Sequence, residues 1–537
     1  MRVRMRAVAL WLGCCSSMAA AQITAPPAPP ALPPAPPPVA VPAPPAAATG
    51  KQPSHYVRCD GLPDNISGAE TAARLIALSL VVGLLAPQHE AADISKRYSG
   101  AEGVAACDAA LANETNEVRR AQLLLARAIH HIEAKAYDAA IADAQEVREM
   151  RGPVASTVGF RQSLGVSASE LQAAALLRAG KLPEAEHAAL VMVDESPWDV
   201  DNYVHALRYV GLTAPMTPER RAFLDRYTRL RPDGISERAA VRELAGDFAG
   251  SADDVTMLLN AFDSFAAPDR ETPKLPATKA LLADKYALAG QMEKARVLAA
   301  QARTELDALS GGAEAINRSQ ELERAGEALD FFAVIDKLAS GDADAARTAF
   351  AARSRWFAPG PFAVALLTER LRAGAKPERL TGALALKPES IRQMAFDNRI
   401  AAMTAAKTSD AALWRAVRSP ISASAYTALA RNTWRTDKSK YMITPKVAPT
   451  KPTGPGEGIV VTDGTGVPSG QALLLHAALI ARARGKTGYM LLPARKRIDV
   501  AVVKFGNAGD GGFPPDMTLD AAMVIAGISP TIAEPVK

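Results

Sequence analysis

Long apolar runs are missing from this sequence. The most apolar stretch, residues 75–86 (LIALSLVVGLLA), has 12 residues and follows Arg74, whereas a bilayer span needs about 20. It reads as a buried packing helix. Catalytic signatures are missing as well. There is no H-E-x-x-H, no G-x-S-x-G and no S-x-x-K, so the readable hydrolase patterns are excluded. Cysteine is scarce, with four in 537 residues, and Cys14 and Cys15 fall in an N-terminal leader. Neither Cys59 nor Cys107 belongs to a C-x-x-C pair, so no zinc site follows. A charge surplus is also lacking. The formal charge of +5 falls to +2 when Arg2, Arg4 and Arg6 leave with the leader and no acid goes with them. That balance gives no electrostatic case for nucleic acid.

The leader itself is Met1 to Ala21. Its three arginines form a basic n-region, Ala7 to Gly13 a short apolar core, and Ala19-Ala20-Ala21 an A-x-A cleavage site. Export through a cleavable signal is expected, giving a periplasmic or secreted bacterial protein. Trp11-Leu12-Gly13-Cys14 loosely resembles a lipoprotein box, so the alternative is a membrane-anchored lipoprotein, with membrane contact only if Cys14 is lipidated. Residues 22–54 form a proline-rich linker, with twelve prolines in residues 26–45. Such a stretch adopts polyproline II and acts as a semi-rigid spacer or as a ligand for a proline-binding partner. In an oxidising compartment the surviving even pair, Cys59 and Cys107, points to a disulfide; two buried free thiols are the alternative.

From about residue 55 to Tyr441 strand-like alternation is nearly absent, and alanine, leucine, glutamate and arginine dominate. The clearest unit is residues 120–153, RRAQLLLARAIHHIEAKAYDAAIADAQEVREMRGP. Leu125, Ile129 and Ile132 share one helical face, and Ile141, Ala144 and Val147 share another. The break at Lys135 to Tyr137 is short enough only for an antiparallel hairpin, which needs neighbours to bury its second face. Related pairs recur at 169–197, 277–307 and 330–358.

These hairpins resemble degenerate tetratricopeptide repeats, helix pairs with small residues at the crossings and a terminal proline. Ala128 and Ala140, Ala173 and Ala185, Ala283 and Ala295, and Gly341 and Ala346 fall on the small positions, with Tyr286 and Phe350 on aromatic ones. Their spacing is irregular. The resemblance implies an α-solenoid of helical hairpins whose first helices line a groove for a protein or peptide. It assigns Glu133, Glu170, Arg178 and Asp284 to that groove. The segment WDVDNYVHALRY adds Trp198, Asp201, Tyr203 and Arg208, in a chain only 5% aromatic; arginine and aromatics are common interface anchors. The competing reading has Trp198 and Tyr203 filling the core between repeats. Trp414, Tyr426 and Trp434, after a helix near 391–407, receive no assignment.

Few constellations carry chemistry. His130 and Glu133 are spaced i, i+3, as two metal ligands require, but no third ligand is identifiable, so a solvated helix or groove face is expected. Asp201 and His205 are spaced to pair, with no nucleophile nearby. Residues 459–484 run from a short strand through Gly464, Gly466 and Gly470 into a helix, a shape that can place a phosphate on a helix N-terminus. The G-K-[ST] ending of a P-loop and the βαβ continuation are absent, so no cofactor is expected.

After a Pro/Gly/Thr/Lys linker at 442–458, residues 459–537 predict a small α+β domain: a strand at Ile459 to Val461, a helix at Ser469 to Arg484, strands at Tyr489 to Leu492 and Ile498 to Phe505, and a helix at Asp516 to Ala526. The passage LLLHAALIARARGKTGYMLL loosely resembles small domains of bacterial envelope lipoproteins. The basic turn Arg495-Lys496-Arg497 reads as a solvated tip or a contact to phosphate-bearing lipid or glycan. The whole predicts a mainly α chain: a TPR-like solenoid with a small α+β C-terminal domain, serving as a non-enzymatic envelope scaffold. The rival expectation is an envelope enzyme or a glycan- or ligand-binding protein with its site in that last domain.

Overall fold

The computed structural model describes residues 52–64, 91–211, 216–231, 234–264, 274–310, 318–419, 421, 425, 457–460, 469–494 and 497–528. The leader, the proline-rich linker up to residue 51, the apolar run at 75–86, Tyr426, Trp434, Gly464, Gly466, Arg495 and Lys496 lie outside the described residues. The chain is mainly helical with a small antiparallel sheet, and it divides into two compact units. Among the described residues one unit holds 52–179 and 410–419, the other 180–409 and 421–528.

In the first unit, α1 (His55–Asp60) packs on α2 (Gly100–Leu111), and α2 on α3 (Glu117–Glu133). Asn116 starts α3 by accepting the N–H groups of Val118 and Arg119, the side-chain cap that a helix N-terminus needs. A single short turn separates α3 from α4 (Tyr137–Glu149). There Lys135 adopts φ 62°, the left-handed conformation, while its N–H reaches the Ile132 carbonyl and the Ala136 N–H reaches that of His131. This is the Schellman closure, normally assigned to glycine. Next, α4 packs on α5 (Val166–Arg178). Leu123, Leu125, Ile129, Ile132, Ala140, Ala144 and Val147 are buried in one core with Phe160, Leu164 and Leu171.

The second unit runs through α6 (Leu182–Glu195), α7 (Val200–Ala206), α8 (Pro218–Leu230), α9 (Ile235–Leu244), α10 (Phe248–Ser264), α11 (Pro276–Leu288), α12 (Met292–Ser310), α13 (Ser319–Ala339), α14 (Ala343–Ala351), α15 (Pro361–Arg372) and α16 (Pro388–Thr404). The pairs α9–α10, α11–α12 and α13–α14 each close with the same two hydrogen bonds as α3–α4, now with Gly246, Gly290 and Gly341 left-handed. Adjacent helices pack in succession: α10 on α11, α11 on α12 and α13, α13 on α14, and α15 on α16. Of the small residues anticipated at crossings, Ala283, Ala295 and Ala346 are buried in a core shared with Phe331, Phe350 and Trp356, whereas Gly341 is exposed and forms the turn after α13. Helix α17 (Ala406–Ala416) follows, its residues from 410 onward belonging to the first unit.

The α5–α6 pair, read from the sequence as the second hairpin, is divided between the two units.

The C-terminal elements lie in the second unit. Strands β1 (Glu457–Val460), β2 (Gly488–Ala494), β3 (Arg497–Gly506) and β4 (Leu519–Asp520) form a sheet of order β1-β3-β2-β4, antiparallel throughout. Helix α18 (Ser469–Ala483) packs on β1, β2 and β3, and on α19 (Ala521–Ile528). Residues 470–481 are buried without interruption, as befits a helix apolar on every side. The final helix starts five residues later than the sequence reading placed it. Leu519 and Asp520 pair with Tyr489 and Gly488 instead, and Asp520 then accepts the Met523 N–H to begin the helix. Among the described residues no helix is long and apolar enough to cross a membrane.

Candidate functional site

Around Glu133 the first unit gathers a polar cluster. Cys59 on α1 and Cys107 on α2 are disulfide-bonded. The Cys59 carbonyl meets His130 Nε2 at 2.8 Å, and His130 Nδ1 lies 3.0 Å from Glu133 Oε2. The same Glu133 oxygen accepts the Gly100 N–H at 2.9 Å, at the start of α2. Burial works against ionisation of Glu133, but its hydrogen bonds to His130, the Gly100 N–H and the Trp414 indole hold the carboxyl below its ordinary range. Trp414 also meets the His130 ring edge-on, with centroids 5.3 Å apart, and carries the Arg97 guanidinium 3.5 Å from its ring centre. Nearby, Arg119 forks onto Asp60 and the Leu62 carbonyl, tying α3 to the end of α1.

This corrects the expectation of a solvated His130. Its exposure is 0% because α1 and the segment holding Trp414 cover the α3 face that a lone hairpin would leave in water. His131 is half-buried beside Asp143, and burial pulls its pKa down. Among the described residues no group of three or more His, Cys, Asp or Glu side chains is placed to hold a metal ion.

The aromatic segment at 198–208 belongs to the second unit. Tyr203 is buried, stacked with Phe223 and Tyr227, and donates its hydroxyl to the Pro197 carbonyl. Trp198 is half-buried against α19: a Cβ on Gly527 would collide with the indole nitrogen. Gly470 at the start of α18 lies against Val200, and Gln471 donates to Ser196 Oγ at 2.9 Å. This shelf therefore receives the chain's own C-terminal elements. Asp201 is half-buried and Arg208 exposed. The same elements reach α9, where Arg238 forks onto Asp254 and contacts Asp225 and Asp516, while Met490, Phe513 and Met517 share a core with Ile235 and Leu258.

A third cluster spans α9, α10, α11 and α13. Asp284 is 2% exposed, and neither carboxyl oxygen has a hydrogen-bond partner. Burial, reinforced by Glu327 on α13, drives its pKa well above the ordinary carboxyl range. On the next position Lys285 contacts Glu243 on α9 and reaches Ser251 Oγ on α10 at 3.0 Å. Burial and the nearby Arg324 push its ammonium down to about 7; the Glu243 carboxylate works in the opposite direction. Tyr286 donates to Asp253 at 3.0 Å and meets Thr256 at 3.3 Å. Thr278, Leu281 and Lys285 are partly exposed along one edge of α11, whose other residues are buried apart from Lys279.

Comparison with family models, curated proteins and solved structures finds no match to this chain.

The eight residues assigned to one groove thus occupy several settings. Glu133, Glu170 and Arg178 are in the first unit, with Glu170 buried and Arg178 half-buried; the other five are in the second. Within the second, Trp198, Asp201, Tyr203 and Arg208 lie on or beside α7, while Asp284 belongs to the α10–α16 core region. Sequence reasoning passed over Arg97, Glu243, Lys285 and Arg324. The available signal was the charged pair Asp284-Lys285 inside the alanine- and leucine-rich α11.

Proposed function

We propose that this protein is an exported, non-enzymatic helical-repeat scaffold that binds a protein or peptide partner in the cell envelope. The observation that carries the reading is the recurrence of one hairpin closure at α3–α4, α9–α10, α11–α12 and α13–α14. A chain that repeats a helix pair with one turn chemistry builds stacked surfaces rather than a single catalytic pocket. That recurrence supports a TPR-like solenoid, in which first helices α9, α11 and α13 would offer the binding edge. Arg324 on α13 puts a cation near this edge, beside the Lys285–Glu243 pair. The Cys59–Cys107 disulfide supports export to an oxidising, periplasmic or secreted location.

Photo-crosslinking residues placed at Thr278 and Leu281 in the native cell test this. One dominant adduct is expected, lost when Arg324 is changed to Glu. No adduct, or adducts indifferent to that charge reversal, overturns the reading.

A further inference from the structure

Residues 410–419 form a short segment whose compact unit differs from that of the residues on either side of it. The segment is amphipathic: Leu413 and Ala416 are buried, Trp414 and Val417 half-buried, while Ala411, Arg415 and Ser419 are exposed. Leu413, Trp414 and Val417 lie against the core built by α2 to α5, the i, i+1, i+4 placement of a helix seated in a groove. At its end the Arg418 N–H donates to Ser167 Oγ on α5 at 3.0 Å.

The receiving surface is more specific than an apolar contact requires. The Trp414 ring takes a cation on its face from Arg97 and the edge of the His130 ring. His130 and Glu133 are in turn held by the Cys59 carbonyl and the Gly100 N–H. Those partners are fixed by the disulfide-linked α1 and α2, so the pocket is ordered by its own supports.

We propose that the Arg97–His130–Glu133 pocket is a binding site for a tryptophan-bearing amphipathic helix, occupied in this state by the chain's own residues 410–419. A partner helix with the same Leu-Trp-x-x-Val spacing displaces it. The tether gives the internal segment a high effective concentration, so the resident helix masks the site against weak competitors. The inference deepens the reading of the protein as a partner-binding scaffold and rests on it.

The test is a fluorescent peptide of residues 406–419, titrated by anisotropy into the full-length protein and its Trp414→Ala variant. Removing the internal anchor is expected to tighten peptide binding at least about tenfold, and adding Glu133→Gln to that variant should weaken it again. Equal binding by wild type and a folded Trp414→Ala variant, or binding by neither, overturns the proposal. If Trp414→Ala does not fold, Trp414→Phe, which keeps a ring and removes the N–H, is expected to show the same ordering, and its absence is equally fatal. Persistence of the crosslinked partner at positions 278 and 281 alongside failed peptide binding would sink this pocket and leave the scaffold reading standing.

Discussion

On α11 the buried Ala280 and Ala287 lie one turn either side of Asp284, whose carboxyl has no hydrogen bond of its own. A neutral acid is tolerable there and a carboxylate is not. Folding therefore keeps a proton on Asp284 at pH values where the unfolded chain, with its ordinary value near 3.8, has lost it. The folded state binds more protons, so this contribution is complete below about pH 4 and is lost as pH rises through the raised folded value. Asp284→Asn, which cannot ionise, should remove that decline, read by urea unfolding across a pH series. Lys285 bends the curve the other way. Its ammonium titrates near 7 in the fold against 10.5 in the open chain, so stability should rise with pH across that window. Lys285→Met should flatten the rise, seen in the same series.

At the scale of the element, the hairpin turns share one hydrogen-bond pattern and differ in the residue that pays for it. Gly246, Gly290 and Gly341 take the left-handed position without steric cost, whereas Lys135 carries a Cβ into it at φ 62°. Lys135→Gly is expected to stabilise the α3–α4 hairpin by about 0.5–1 kcal/mol, less if the open chain gains entropy, measured as a shift in the unfolding midpoint. A tighter constraint acts at α19. Gly527→Ala would drive a methyl into the Trp198 indole, and a loss of about 1–3 kcal/mol is expected as the helix shifts away. The same measurement on a Trp198→Ala, Gly527→Ala double variant should show that the two changes are not additive, since the clash is gone once the indole is.

For the whole molecule, the mature N-terminus is the deciding observable for location. Export through the leader predicts an intact mass beginning at Gln22, and an acylated Cys14 would instead establish a membrane anchor. The disulfide adds a second measurement. Cys59→Ser with Cys107→Ser is expected to cost about 2–5 kcal/mol, because α1 would then depend on the Arg119–Asp60 fork and the His130 contact to hold its place. Thermal unfolding with and without reductant checks this: wild type should fall toward the double variant on reduction, and the double variant should not respond.

Mainly helical content and a small α+β ending were legible in the sequence because both are local. The 3.6-residue spacing of Leu125, Ile129 and Ile132 and the alternation of residues 498–505 state a helix and a strand without reference to anything distant. What covers each face was not legible. His130 and Glu133 look like surface residues on a lone helix; the Cys59 carbonyl and the Trp414 ring, 71 and 284 positions from His130 in the chain, cover the first, and the Gly100 N–H binds the second. Trp198 and Tyr203 carried the aromatic signal of an interface, and the chain's own α18 and α19 lie against their segment. Asp284 reads as a groove carboxylate until α10, α12, α13 and α15 close around its helix. Periodicity along the chain determines which residues share a face, while the contact that turns a face into core, support or site depends on long-range packing that no spacing records.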